Sequence, residues 1–236
     1  MNDRSAAIVV FVKTPGLSPV KTRLAADLGR ETADEFYRLS VSAVGATVAA
    51  AAAAQGFCPY WAVAELEGMG DQRWQRFPRI HQGSRGLGER LQNVFGELQK
   101  RHRVVAAIGA DSPQLRSEAI CAALQYLQND QVNGTSVLGR CPDGGFYLVG
   151  SNIVLPSDAW VDVPYSASDT ADRMLQSLKH HGEVFELPVL TDVDDIRDLH
   201  AVQRELQEVC DLTAEQIAVL AWLKRVITRL AENGTR

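Results

Sequence analysis

The sequence has few cysteines, and no two of them are close enough to share a metal ion or form a redox motif. Cys58, Cys121, Cys141 and Cys210 are scattered along 236 residues. That spacing excludes zinc ribbons and Cys-x-x-Cys chemistry. The thiols read as reduced packing groups, as in a cytoplasmic protein. His81, His102, His180, His181 and His200 lack metal-ligand spacing, and no catalytic dyad follows from them. Positive charge is not in excess: 24 Lys and Arg face 29 Asp and Glu, for a net charge of −5. A general nucleic-acid binder would carry a basic face, so none is expected as a partner. Neither the Gly-Lys-Ser/Thr ending of a Walker A loop nor a Gly-x-Gly-x-x-Gly fingerprint occurs. No apolar run has the length of a membrane span. The poly-Ala patch 49–54 ends a helical pattern at Gln55-Gly56. Asp3 and Arg4 lead into a short strand rather than a signal peptide. The expectation is a cytoplasmic protein without a membrane partner.

A hydrophobic share of 46% supports a sizeable core. No composition shift divides the chain, so residues 1–236 are expected to form a single domain. Strand patterns fall at 6–12, 57–64, 103–109, 134–139, 144–150 and 183–188. Helical patterns fall at 22–28, 31–54, 87–102, 116–129, 168–181, 195–209 and 213–232. Strands separated by helices predict an α/β fold: three α/β/α layers around a mostly parallel, Rossmann-like central sheet. The apolar runs Ile8–Val12 and Val104–Ile108 fit central strands covered on both faces. These two strands are expected to be neighbours. The terminal helix carries a broad apolar face with Ile217, Leu220, Leu223, Val226, Ile227 and Leu230. It covers the sheet edge or makes a homodimer contact, and the pattern leaves both open. Trp61, Trp74, Trp160 and Trp222 read as packing residues.

In such sheets, ligands bind beyond the carboxyl ends of the strands. The first strand ends at Lys13-Thr14-Pro15, and a Gly/Pro/Ser loop follows, closing at Val20-Lys21-Thr22-Arg23-Leu24. Free backbone N–H groups and two cations at a helix start suit a di- or triphosphate. Lys13, Lys21, Thr22 and Arg23 are therefore candidate nucleotide contacts. Arg90, in Leu87-Gly88-Glu89-Arg90, either reaches a phosphate or sugar or lies on a solvated helix face. Asp111 follows the apolar run that ends at Ile108, and a carboxylate there is a good ligand for Mg²⁺ or Mn²⁺. It competes with a helix-cap reading, although Ser112 can cap by itself. Asp192 lies before a cap assigned to Asp194 and is the better second metal ligand. Asp143-Gly144-Gly145 reads, on its residues alone, as a hairpin turn.

Five ordered motifs carry a resemblance: the basic loop at 20–24, Leu87–Arg90, Gly109-Ala110-Asp111-Ser112-Pro113, Asp143–Gly150 and Asp192-Val193-Asp194-Asp195. Together they resemble the DUF2064 group of glycosyltransferase-A-like proteins, often labelled arsenosugar-biosynthesis-type glycosyltransferases, over about residues 6–200. Phosphoenolpyruvate and molybdenum-cofactor guanylyltransferases are similar more loosely. The resemblance implies a nucleotide-diphospho-sugar transferase fold with Asp111 on the metal and Lys21 and Arg23 on the phosphates. It raises Asp143, with Lys21, to a candidate catalytic residue. The implied activity is metal-dependent transfer from a nucleotide sugar to a small-molecule acceptor. The alternatives are nucleotidyl transfer from a nucleoside triphosphate, guanylyltransferase-like, and a non-catalytic nucleotide-binding module. The chain departs from the group where Tyr165-Ser166 replaces a Trp-Ser segment and where Pro19 stiffens the basic loop.

Overall fold

The computed structural model describes residues 6–129 and 134–234. Asp3 and Arg4 lie outside the described residues. The chain runs β1 (Ala6–Val12), α1 (Thr22–Leu28), α2 (Arg30–Gln55), β2 (Cys58–Val63), β3 (Arg79–His81), α3 (Leu87–Gln99), β4 (Val104–Ile108) and α4 (Ser117–Asn129). It continues as β5 (Thr135–Arg140), β6 (Phe146–Ser151), α5 (Asp158–Val161), α6 (Thr170–Lys179), β7 (Glu183–Leu187), α7 (Leu199–Gln207) and α8 (Ala214–Gly234).

The strands form a seven-stranded sheet in the order β3-β2-β1-β4-β6-β5-β7. β1 pairs in parallel with β2 and β4, which makes the two apolar runs neighbours as expected. β6 alone runs antiparallel, to β4 on one side and β5 on the other. The Asp-Gly turn thus forms the hairpin that its sequence predicts.

Alternation along β1 explains the layers. Ile8, Val10 and Val12 point into a core shared with α2 and α4. Ala7 and Val9 point to the opposite core, built from α3, α5 and α6. Both faces are covered, so the strand reads as a continuous apolar run. A third cluster joins the outer side of α2 to α1, α7 and α8 through Phe36, Ala43, Leu199, Trp222 and Leu223. The terminal helix therefore packs on α2 and α7, not on the sheet edge. The four tryptophans are all buried, as expected.

The structure departs from the sequence reading at several points. α2 is long and apolar enough, by length and composition, to cross a membrane, contrary to the expectation that no run reaches that length. Most of it is buried, because it lies between two cores and needs an apolar surface on both sides. The pattern at 195–209 splits into a 3₁₀ turn at Ile196–Asp198 followed by α7. β3 and α5 have no counterpart in the sequence reading, because three or four residues set no hydrophobic period.

Candidate active site

Several segments meet at the carboxyl ends of β1 and β4. They line a cleft of about 600 Å³ that includes Lys13, Lys21, Thr22, Arg23, Arg90, Asp111, Ser166 and Asp194. That volume suits a small-molecule ligand. Six of the residues expected at a site are thus brought together: Lys13, Lys21, Thr22, Arg23, Arg90 and Asp111.

The loop after β1 is held from several sides. Tyr37 of α2 accepts a hydrogen bond from the Lys13 amide at 2.8 Å and donates to the Lys13 carbonyl at 3.1 Å. Burial raises the Tyr37 hydroxyl pKa far above its ordinary value, so the group stays protonated and able to donate. The Thr14 amide donates to Glu65 Oε2 at 2.8 Å. Lys13, Thr22 and Arg23 are exposed. Gln82, buried behind them, donates to the carbonyls of Val12 and Ala62 at 3.1 and 2.7 Å. Its own oxygen accepts from Arg90 at 3.3 Å, and Arg90 also donates to the Arg85 carbonyl at 2.7 Å. Arg90 therefore stands in the cleft wall with its guanidinium held by Gln82 and the Arg85 carbonyl.

Lys21 points the other way. Its backbone is left-handed, with φ 46° and ψ 48°. Its ammonium lies 3.0 Å from Asp111 Oδ2, 3.4 Å from Asp194 Oδ1 and 2.5 Å from the Val193 carbonyl. Burial opposes the charge, but Asp111 and Asp194 outweigh it, and the Lys21 pKa is raised. Arg23 Nη1 meets Asp194 Oδ2 at 3.1 Å from solvent.

Asp111 does not cap a helix; its carboxylate turns to Lys21, and its second oxygen, Oδ1, is buried with no hydrogen-bond partner. Asp194 is not the cap either. Asp195 takes that role by accepting from the Arg197 amide at 2.8 Å, while Asp198 accepts from the Asp195 amide at 2.9 Å. This capping box frees the Asp194 carboxylate for Lys21 and Arg23.

Asp143 and Asp192 sit outside the cleft lining but beside it. Their carboxylate oxygens and the Cys141 sulfur lie within 4.8 Å of one another. Burial, reinforced by Asp143 and Asp194, pushes Asp192 up to about 6. Burial, with Asp192 and Asp143 nearby, keeps the Cys141 thiol protonated. The turn that carries Asp143 is fixed by Gly144. Its φ is 92°, and an added Cβ would lie 1.8 Å from the Ser168 carbonyl oxygen. The Gly144 carbonyl accepts from the Ala171 amide at 2.8 Å, which ties the turn to the start of α6. Asp143 Oδ1 accepts from the Gly145 amide at 2.8 Å.

The donor set fits a hard divalent cation. Asp143 and Asp192 offer converging carboxylate oxygens beside the Cys141 sulfur, and Asp111, whose Oδ1 is buried without a hydrogen-bond partner, lines the adjoining cleft; carboxylate oxygens suit Mg²⁺ or Mn²⁺.

The loops bearing Asp111 and Asp192 are tied together underneath. The Val193 amide donates to the Asp111 carbonyl at 3.1 Å. Gln114 Nε2 donates to the Thr191 carbonyl at 2.5 Å and to Glu205 Oε2 at 2.7 Å. Thr191 donates its hydroxyl to Glu205 Oε1 at 2.5 Å. Sequence reasoning missed Tyr37, Gln82, Asp194 and Glu205. Only Asp194 has a signal, the acidic run 192–195, and the sequence pattern assigns its carboxylate to the cap.

The model of a family described as an uncharacterized protein conserved in bacteria (DUF2064) matches residues 43–167. That span includes Arg90, Asp111 and Asp143 and leaves out Lys21, Arg23 and Asp192. No curated protein matches the chain. Among solved structures, a candidate nucleotide-diphospho-sugar transferase from Desulfovibrio desulfuricans G20 is similar at a TM-score of 0.79 and 23% identity, covering 93% of this chain and 97% of its own. A nucleotidyl transferase from Methanothermobacter thermautotrophicus aligns at 0.54 and 12% identity, over 87% and 99% of the two chains. The 4-diphosphocytidyl-2C-methyl-D-erythritol synthase from Anaerococcus prevotii aligns at 0.53 and 9%, over 87% and 97%. These likenesses establish the shared α/β fold.

Proposed function

We propose, for a chain that belongs to the DUF2064 family, a divalent-metal-dependent transferase acting on a nucleotide-activated substrate. The favoured reaction is glycosyl transfer from a nucleotide-diphospho-sugar to a small-molecule acceptor. Residues 1–236 act as one such domain, with α8 as its terminal helix. One observation carries the reading: cations and carboxylates together line a single cleft at the strand ends. Lys13, Arg23 and Arg90 line it, with Asp111 and Asp194 in the same wall as Lys21. The name of the Desulfovibrio neighbour points to the same substrate class.

In this reading Lys13, Thr22, Arg23 and Arg90 hold the diphosphate, and charge-assisted contacts supply its affinity. Asp111 and Asp192 would hold Mg²⁺ or Mn²⁺, which neutralises the charge that develops on the leaving diphosphate. Asp143, exposed at the tip of its turn, would accept the proton of an acceptor hydroxyl.

Nucleotidyl transfer with release of pyrophosphate is the second reading. It is favoured by Pro113, which stands where an Asp-x-Asp pair would place its second carboxylate. A thermal-shift panel of nucleotide sugars and nucleoside triphosphates, with and without Mg²⁺ or Mn²⁺, tests both through ligand linkage. Metal-dependent stabilisation by a nucleotide sugar is expected, followed by release of nucleoside diphosphate with a suitable acceptor. Stabilisation by triphosphates alone, with pyrophosphate released, selects the second reading. Binding without any turnover indicates a nucleotide-binding module. No shift with either class refutes the site.

A further inference from the structure

We propose that Lys21 is the built-in cation of the acidic site, and that a divalent ion binds Asp111 by taking its place. The inference rests on the metal-dependent reading above and adds what that ion must displace. An ammonium has three N–H donors. Asp111 Oδ2, the Val193 carbonyl and Asp194 Oδ1 take all three, at 3.0, 2.5 and 3.4 Å. The side chain is only 5% exposed. In this position Lys21 has no proton left to give a phosphate. The basic loop therefore presents Arg23 to the cleft, while its other cation is turned inward.

The arrangement is held by a left-handed backbone at Lys21, which L residues rarely adopt. It still leaves the site incompletely neutralised. Asp111 Oδ1 is buried with no partner. Asp143 and Asp192 lie close by, and Asp192 meets Lys21 only through space. A divalent ion brings twice the charge and binds several oxygens at once. It would compete with the ammonium for Asp111 and repel it. Lys21 already lines the cleft beside Thr22 and Arg23, so its ammonium, once released, would be free to meet the phosphates there. Ion binding and completion of the phosphate grip are then one event. Without the ion, the acidic site is partly neutralised and the phosphate site lacks one of its cations.

The test measures Mn²⁺ binding without nucleotide, from the paramagnetic resonance signal of the free ion. Lys21→Gln is compared with wild type and with Arg30→Gln, which removes a positive charge from an exposed pair on α2. Lys21→Gln should bind Mn²⁺ at least about tenfold more tightly, because a cation next to the ligand is gone. Arg30→Gln should stay within about twofold, since its charge is exposed and screened. Binding by Lys21→Gln no tighter than wild type overturns the proposal. A second measurement needs no variant. Lysine acylation by a reactive ester, read by mass spectrometry, should modify Lys21 several-fold faster at high Mn²⁺ than without it. An unchanged rate also overturns the proposal. Neither measurement contains nucleotide, so a protein that passes both and binds no nucleotide refutes the transferase reading alone.

Discussion

Removing the Glu205 carboxylate should loosen the acidic site from below. Glu205 on α7 accepts from the Thr191 hydroxyl at 2.5 Å, from Gln114 Nε2 at 2.7 Å and from the Thr191 amide at 3.3 Å. Thr191 is 7% exposed and Gln114 is 2% exposed, so water cannot replace the lost acceptor without opening the structure. Gln114 keeps its bond to the Thr191 carbonyl, but its own Oε1 already lacks a partner. Hydrogen bonds to a charged group contribute about 1.5–3 kcal/mol, and a stranded buried polar group costs about 1–3 kcal/mol. The three bonds share one carboxylate and one helix, so they do not add fully. Glu205→Ala should therefore destabilise the fold by about 2–4 kcal/mol. Glu205→Gln can turn its oxygen to Gln114 and its amide to the Thr191 hydroxyl, and should cost no more than about 1.5 kcal/mol. Urea unfolding of the three proteins at pH 7 measures both values. Thr191 precedes Asp192 and Gln114 follows Asp111 by three residues, so Glu205→Ala should also weaken Mn²⁺ binding, and Glu205→Gln should restore most of it. An alanine variant within about 1 kcal/mol of wild type, or a glutamine variant as unstable as alanine, would refute the clasp.

Three further outcomes are expected. Gly144→Ala should destabilise by more than about 3 kcal/mol, because its Cβ meets backbone at 1.8 Å; Gly16→Ala, with a similar φ but open space, should cost only about 1–2 kcal/mol of left-handed strain. Chemical denaturation of both variants separates the clash from the strain, and equal losses would contradict the packing of this turn. Arg23→Ala should leave stability within about 0.5 kcal/mol, since its side chain is 71% exposed, yet weaken nucleotide binding about tenfold by titration calorimetry. Asp192 titrates near 6 in the fold against an ordinary 3.8, so between these values the native state holds a proton that the unfolded chain has lost. Stability should fall as pH rises through that window, by no more than about 3 kcal/mol and less after allowance for partial exposure. Mn²⁺ should restore more stability at pH 7.5 than at pH 5, and urea midpoints that rise across the window would contradict the raised Asp192 pKa.

The central strands were legible because burial on both faces writes itself into the sequence as an unbroken apolar run. Ile8–Val12 and Val104–Ile108 pair in the structure as expected. The β5–β6 hairpin was legible because Asp143-Gly144 is local turn chemistry. β3 was not, since Arg79–His81 is three residues long and its position is set by its partner β2. What covers α8 was not legible for a related reason, and the sequence left a sheet edge and a dimer contact both open. An apolar helix face announces that it is covered, but not by what, and here the cover is Phe36 and its neighbours on the outer side of α2.

The cleft residues were legible as a set, but their orientations were not. A basic loop between a strand and a helix gives two cations and no direction for either. Lys21 turns inward because Val193 and Asp194, 172 and 173 residues further along the chain, bring their oxygens to it. The Asp194 carboxylate is available only because the helix cap falls one residue later than expected. With Asp195 as the cap, the Asp194 carboxylate faces the cleft; with Asp194 as the cap, it would be consumed by a backbone amide. A one-residue change in capping register therefore decides whether the loop lysine meets a carboxylate or solvent. Cys141 shows the same limit from the other side. Its distance in sequence from Asp192 excluded any motif, yet the β5–β6 turn and the loop after β7 place the two side by side. Chemistry assembled from strand ends is spaced by the sheet, and spacing along the chain carries little of it.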